Sequence, residues 1–308
     1  MINNDYPKVF KKDIAIEKIH MKQLKIVLPT LNEEKAIIKV IKSIPIEALK
    51  ELGYHTSIIV IDGHSKDKTV KLAKKQGAEV ITQKGKGKGK AIRTAFIKLK
   101  KENPDIAVML DADNTYNPKD IPKMILPLII NEADVTIGSR DNKSHFIGNA
   151  ILTSMANKVF KGTITDLCTG YWAFNNKAIR QIDIKANGFD LETDLFAQVN
   201  KNKLKMKSVD IKYRRRIGKS KLKKADGLVI IGRMIRNIRD WNPMILFGLT
   251  GLISFITSLI FGIRVIIDYT QNGYIVAVGT FILTVFLAII GVFMMGMGLI
   301  LDLLERRT

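Results

Sequence analysis

Two long apolar runs towards the carboxyl end constrain this chain more than any other feature. Pro243 to Ile267 carries a single charge, Arg264, and Tyr274 to Leu301 carries none. About 20 apolar residues cross the hydrocarbon core of a bilayer as a helix, so each run is long enough to span. The connection from Asp268 to Gly273 is short enough to force a hairpin. A buried helix of a soluble protein is the competing reading of either run alone, and two such lengths in succession argue against it. Neither run lies at the amino end, so neither is a signal peptide.

Charge then orients the hairpin. Between Lys201 and Asp240 fifteen Lys or Arg stand against three Asp, Glu305-Arg306-Arg307 follows the second run, and the connection holds no basic residue. The positive-inside rule places everything before Pro243, and the carboxyl terminus, in the cytoplasm of a two-span membrane protein. Cys168 is the only cysteine, which rules out a disulfide framework and suits a reducing compartment. A net charge of +21 raises the question of nucleic acid. No zinc pattern, helix-turn-helix signature or aromatic-basic interleaving accompanies it, and anionic lipid headgroups are the better match for a basic excess beside a span. Leu222, Ala225, Leu228, Val229, Ile231, Ile235 and Ile238 recur near helical spacing among Lys223, Lys224, Arg233, Arg236 and Arg239. That pattern predicts an amphipathic helix along the inner leaflet, with an ordinary surface helix as the alternative.

The part before the spans alternates strand-like and helix-like patterns. Strands are expected at Lys25–Leu28, Ser57–Ile61, Glu79–Ile81, Ile106–Leu110 and Asp134–Ile137, and amphipathic helices at Glu33–Ile44, Thr69–Gln76 and Lys88–Lys101. Alternation of this kind implies an α/β fold with a parallel, doubly wound sheet, whose ligands sit at the strands' carboxyl ends. Asp111-Ala112-Asp113 closes the fourth apolar run. Side chains two apart on an extended segment share a face, so both carboxylates can converge on one hard divalent cation, Mg2+ or Mn2+. A solvated turn is the other reading of that tripeptide. Gly85 to Lys90 alternates glycine with lysine, allowing close approach of phosphate with ammonium charge at hand; a solvated loop has the same composition. It matches neither a Walker A sequence nor a dinucleotide fingerprint.

Taken in order, Pro29-Thr30-Leu31-Asn32-Glu33, Asp62-Gly63-His64-Ser65-Lys66-Asp67-Lys68-Thr69, Gly87-Lys88-Gly89-Lys90-Ala91, Asp111-Ala112-Asp113 and Arg140 resemble the signatures of family 2 glycosyltransferases with the GT-A fold. Thr165-Asp166-Leu167-Cys168-Thr169-Gly170-Tyr171-Trp172-Ala173-Phe174 and Arg216-Ile217-Gly218-Lys219-Ser220-Lys221-Leu222 resemble the narrower group that glycosylates dolichyl or polyprenyl phosphate, with an archaeal look. The resemblance covers about Lys25 to Leu222. It implies a nucleotide-sugar donor, a lipid-phosphate acceptor, Asp113 as the more direct metal ligand, and Asp166 orienting the acceptor or taking a proton. Where some relatives carry a Gln two positions past the second Asp, this chain has Thr115, which puts a third protein ligand in doubt.

Each position also has its own chemical reading. Pro29, Asn32, Glu33 and Asp62 lie where a nucleoside would be held, and a carboxylate accepts from base or ribose donors. Glu33 also reads as a helix-start acid, and Asp67 as the cap of the helix from Thr69. Lys88 reads as a donor-phosphate contact. Arg140, Arg214, Arg216, Lys219 and Lys221 are candidates for the acceptor phosphate, because guanidinium matches phosphate oxygens bidentately. Arg215 would face solvent. Asp166 is otherwise a turn aspartate, and Glu192 and Asp194 either face the crevice or cap a helix. Gly291, Gly296 and Gly298 suit either assembly of chains or packing within the hairpin.

The expected organisation is a polar extension (1–20), a GT-A domain (21–218), an amphipathic juxtamembrane segment (219–242) and two spans (243–267 and 274–301). The expected activity is inverting transfer of one hexose to dolichyl phosphate. UDP-glucose or UDP-N-acetylglucosamine is favoured as donor, GDP-mannose is the runner-up, and the product would serve protein N-glycosylation. A processive polysaccharide synthase would need more spans and a Gln-x-x-Arg-Trp motif, and a non-catalytic scaffold would keep the fold without turnover.

Overall fold

The computed structural model describes residues 21–140, 153–154, 157, 165–167, 169–186, 191–218, 232 and 243–305. The polar extension, Lys219, Lys221, Cys168 and all of the amphipathic segment but Gly232 lie outside the described residues.

A seven-stranded sheet forms the centre: β1 (Lys22–Thr30), β2 (Tyr54–Asp62), β3 (Glu79–Thr82), β4 (Ile106–Met109), β5 (Val135–Arg140), β6 (Trp172–Asn175) and β7 (Met206–Ile211), in the order β3-β2-β1-β4-β6-β5-β7. Both faces are covered, which is why β1 and β4 read as apolar runs rather than alternating ones. Leu24, Ile26 and Leu28 of β1 point into one core layer with α1 (Ile37–Lys42), α2 (Ile46–Glu51), α3 (Thr69–Lys75) and α5 (Ile121–Ile129). Val27, Ile59 and Ile61 point into the other, against α4 (Lys88–Glu102), α6 (Asn176–Gln181) and α7 (Leu191–Lys201). On α4 the residues Ala91, Ile92, Ala95, Phe96 and Leu99 make the helical stripe, and the helix ends at Asn103 in the left-handed conformation (φ 55°).

The expected strands all form; β1, β2 and β3 run longer than expected, β4 stops one residue short at Met109, and β5 starts one residue late and runs on to Arg140. The sheet is mostly, not wholly, parallel: β6 runs antiparallel to both β4 and β5, with Met109 and Ile137 each opposite Trp172. This reversal positions the functional region. The amino end of β6 meets the carboxyl ends of β4 and β5, so Gly170, just before it, lies beside Asp111, and Asp166 lies beside Arg140. Gly138 N donates to Tyr171 O (2.8 Å) at that junction.

The carboxyl-terminal part is a pair of helices, α8 (Pro243–Asn272) and α9 (Val278–Glu305), with mean hydropathies of 2.2 and 2.5. Both are long and apolar enough to cross a membrane, and only 17% and 6% of their most apolar windows are buried, unlike a soluble core helix. α8 runs through Asp268 and stops at Gly273 (φ 73°), whose N–H donates to Tyr269 O (2.8 Å). The turn is therefore later than the charge pattern suggested, because a left-handed glycine rather than an acidic residue ends the helix. The buried residues of α8, Pro243, Gly251, Ser258 and Val265, fall along one line of the helix, and Ser254 Oγ donates across the pair to Leu287 O (2.8 Å). A Cβ on Gly251 would lie 2.6 Å from Gly291 O, and one on Gly298 would lie 3.2 Å from Gly248 N, so Gly291 and Gly298 pack within the hairpin. A Cβ on Gly296 would meet nothing within 4 Å.

Candidate functional site

The polar ends of β1, β2, β4 and β5 gather at one side of the sheet, joined by the loop before β6 and by residues 213–218 after β7. Asp113 is the most enclosed carboxylate of the Asp-x-Asp pair, 5% exposed. Its Oδ1 accepts from Thr115 N (2.9 Å) and Thr115 Oγ1 (2.5 Å), and its Oδ2 accepts from Arg216 Nη1. Thr115 thus orients Asp113. The other guanidinium nitrogen of Arg216 donates to Glu33 Oε1 (2.6 Å). Arg216 reaches the site because residues 213–218 pair with the Asp113 turn: Arg214 N donates to Thr115 O (2.8 Å), Ile217 N to Asp113 O (3.0 Å), and Tyr116 bridges Tyr213.

Asp111 is organised differently. Its Oδ1 pairs with Lys88 Nζ (2.9 Å), which also pairs with Glu192 Oε1 (2.9 Å) in the first turn of α7. Lys88 begins α4 directly after Gly87, whose φ of 104° lets the lysine-glycine loop turn into the helix. Asp111 Oδ2 has no hydrogen-bond partner among the described residues. It lies over Gly170, where a Cβ would come within 2.6 Å of it. Burial pushes the Asp111 carboxyl above its usual range; Lys88 opposes this and the charge of Asp113 adds to it. Burial works against the Lys88 ammonium, but Asp111 and then Glu192 hold it well above its ordinary value.

The third cluster is Arg140 with Asp166. Arg140 Nε and Nη2 donate to Asp166 Oδ2 (2.5 Å) and Oδ1 (2.8 Å), and the Asp166 side chain is fully buried. The guanidinium also lies 5.2 Å from the Tyr213 ring centroid. Tyr116, whose hydroxyl accepts from Gly170 N (2.7 Å), stacks edge-on with both Tyr171 and Tyr213 and ties the clusters together.

The loops after β1 and β2 hold each other. Asn32, at φ 49°, accepts from Lys66 N (2.7 Å), and its own N–H donates to Ser65 Oγ (2.9 Å). The Asp62 carboxylate accepts from His64 N (3.1 Å) and Ser65 N (3.2 Å), so it shapes its own turn. Pro29 is half-buried in β1, opposite Ile61 of β2. The N-cap position of α3 is Lys68 rather than Asp67; Asp67 stands one residue before it, with Oδ1 accepting from Thr69 N (3.0 Å) and Oδ2 from Glu34 N (3.2 Å).

Of the residues expected at a site, the structure brings Glu33, Asp113 and Arg216 into one cluster, Lys88 and Asp111 into a second, and Arg140 and Asp166 into a third, and Arg214 joins the first through its backbone. Arg215 is exposed. Asp194 accepts from Lys185 N (2.7 Å) and Ala186 N (2.8 Å) and is therefore a loop anchor. Glu192, for which a place facing the crevice and a helix cap were both open, belongs to the network through Lys88. Gly170, Tyr116 and Tyr213 belong to it too and were not expected; Gly170 lies within a quoted motif, whereas the two tyrosines carried no signal in the sequence.

The donor set suits a hard divalent cation. Asp111 and Asp113 lie close enough for the charge of one to raise the carboxyl of the other, one oxygen of Asp111 has no hydrogen-bond partner among the described residues, and Lys88 is outnumbered by the two carboxylates it serves. No group of three His, Cys, Asp or Glu side chains placed to hold a metal occurs among the described residues.

Comparison with known proteins agrees with this architecture. The chain is 31% identical over 219 residues to a dolichyl-phosphate hexose transferase of Haloferax volcanii, covering 69% of this chain and 92% of that protein. It is 30% identical over 220 residues to a UDP-N-acetylglucosamine–dolichyl-phosphate N-acetylglucosaminyltransferase of Methanococcus voltae, covering 62% and 85%. Among solved structures, glucosyl-3-phosphoglycerate synthase of Mycobacterium tuberculosis in complex with Mn2+, UDP and glucosyl-3-phosphoglycerate superimposes with a TM-score of 0.57 at 22% identity, over 71% of this chain and 79% of that one, a likeness of GT-A fold. Residues 25–183 match the family described as Glycosyl transferase family 2, and the chain is a glycosyltransferase belonging to that family.

Proposed function

We propose that this glycosyltransferase moves a single hexose, with inversion, from a nucleotide sugar to dolichyl phosphate at the cytoplasmic face of the cell membrane. The observation that carries the reading is the convergence of Asp111, Asp113, Lys88, Arg216 and Arg140 at one sheet end, in a chain that continues into two exposed apolar helices. Two polyanions must meet for this reaction, and the site supplies both the carboxylates for a cation and the cations for phosphates. Mg2+ or Mn2+ held by Asp111 and Asp113 would supply Lewis-acid stabilisation of the departing diphosphate. Lys88 lies beside that position and neutralises the same charge. Pro29, Asn32, Glu33 and Asp62 would border the nucleoside, and Arg140, Arg214 and Arg216 would meet the acceptor; Lys219 and Lys221 are assigned to it by sequence alone.

An oxygen of the lipid phosphate attacks the anomeric carbon; the new C–O bond forms as the bond to the nucleoside diphosphate breaks. A phosphate monoester loses its second proton near pH 6, so the attacking oxygen is already anionic at neutral pH and no strong base is required. Asp166 then serves by fixing the Arg140 fork in place.

UDP-glucose or UDP-N-acetylglucosamine is the favoured donor, with support from the named relatives, and the lipid-linked product would serve protein N-glycosylation. Both termini lie in the cytoplasm, where the basic residues before Pro243 meet anionic headgroups. The test is transfer by purified protein in nanodiscs containing dolichyl phosphate, using labelled UDP-glucose, UDP-N-acetylglucosamine and GDP-mannose in turn, with and without EDTA. A single lipid-linked sugar, lost in chelator, is expected. Transfer from GDP-mannose alone would reassign the donor, a long polymer would make the protein a synthase, and no transfer from any donor would refute the activity.

A further inference from the structure

Both oxygens of Asp113 are engaged by the chain itself. Thr115 holds Oδ1 (2.9 and 2.5 Å), and Arg216 holds Oδ2 while its second nitrogen sits 2.6 Å from Glu33 Oε1. The Thr115 contact is local, two residues along the same turn, and would persist whatever binds. The Arg216 contact is long-range and occupies the oxygen that a cation shared with Asp111 would use. We propose that Arg216 is an internal counter-cation that competes with the divalent ion for Asp113, so that loading of metal and donor hands its guanidinium to the acceptor phosphate. The inference rests on the metal-dependent reading above and adds an order of events to it: donor first, lipid phosphate second.

The segment is built to let the side chain move while the backbone stays. Arg214 N and Ile217 N, on either side of Arg216, are bonded to Thr115 O and Asp113 O, and Tyr213 is bridged to Tyr116. The Arg216 side chain itself is 26% exposed, whereas the carboxylates it holds are 7% and 8% exposed. It is therefore the member of this trio most accessible to an incoming phosphate. Tyr213 places the same segment against Arg140, so the released guanidinium would join a second one already clamped by Asp166. Competition of this kind is reciprocal: whatever the ion takes from Arg216, Arg216 takes from the ion's affinity.

The test is calorimetric titration of Mn2+ alone into the full-length protein in nanodiscs. Arg216→Gln should bind Mn2+ at least about tenfold more tightly than the wild type, since it removes a charge-assisted competitor, while Asp113→Asn should lose binding. The same Arg216→Gln protein, saturated with donor, should show a raised KM for dolichyl phosphate. Arg216→Lys keeps a cation without the fork that bridges two carboxylates, so it should fall between the two and carries the test if the Gln variant does not fold. Equal or weaker Mn2+ binding by Arg216→Gln overturns the inference while leaving metal-dependent transfer standing. Absence of Mn2+ binding in wild type and variants alike overturns the metal reading together with it.

Discussion

Gly170→Ala isolates the geometry of Asp111 with a single carbon atom. A Cβ at this position would stand 2.6 Å from Asp111 Oδ2, 3.0 Å from its Cγ and 3.0 Å from Lys88 Nζ. Ordinary contact begins near 3.4 Å, so the carboxylate would have to retreat by about 0.8 Å. Asp111 is short and its other oxygen is held at 2.9 Å by Lys88, so it cannot yield by rotating freely. Overpacking of this sort costs about 1–3 kcal/mol, and a misplacement approaching 1 Å at a reacting centre costs on the order of 100-fold in rate. Gly170→Ala should therefore lower kcat/KM by roughly two orders of magnitude and weaken Mn2+·UDP binding at least about tenfold, while the thermal midpoint falls by only a few degrees. Gly279→Ala, where a Cβ meets nothing within 4 Å, is the control for the substitution itself. Wild-type nucleotide affinity and turnover in Gly170→Ala would refute the placement of Asp111 against the donor.

Lys88→Met should destabilise the protein by about 3–5 kcal/mol in denaturant titration, because it leaves Asp111 and Glu192 enclosed without the ammonium they share; adding Glu192→Gln should return part of that loss, and a Lys88→Met protein as stable as wild type would contradict the assignment. A pH effect away from the site comes from Asp134: burial raises its carboxyl, but hydrogen bonds from Lys205 N (2.9 Å), Asn175 (3.0 Å) and Lys177 (3.1 Å) win and hold it below the usual range. Its contribution is present above the unfolded carboxylate pKa of about 3.9 and disappears as pH falls through the lower folded value. Thermal melts followed by Trp172 fluorescence should show Asp134→Asn less stable than wild type near neutrality, with the gap closing below about pH 4; a constant gap would count against the linkage.

How much of this was legible in the chain follows from which forces are local. Central strands buried on both faces must be apolar throughout, so β1, β2 and β4 announce themselves, and a parallel sheet collects the polar residues at their carboxyl ends without further information. The Asp-x-Asp pair, Lys88 and Arg140 could be placed together on that basis. Reversal of β6 (Trp172–Asn175) could not, because a strand's direction is decided by what it pairs with, here Met109 on one side and Ile137 on the other. The same reversal delivers Gly170 to Asp111 and Asp166 to Arg140, so the finest geometry of the site hangs on the element least visible in sequence.

Cations raise a different difficulty. Arg216 and Arg140 were both legible as phosphate ligands by residue type, yet in the fold each holds a carboxylate of this same chain. Their two situations differ in a way that residue type cannot express. Asp166 is fully buried and takes Arg140 in a two-point fork, an arrangement that fixes orientation and costs several kcal/mol to break. Asp113 and Glu33 each take one nitrogen of Arg216, in a side chain that stays 26% exposed, so that contact exchanges more readily for another charge. Under the proposed transfer, a site that admits a cation and two polyanions in turn would use both kinds of pair: one that keeps its guanidinium aimed throughout, and one that gives it up to a stronger cation.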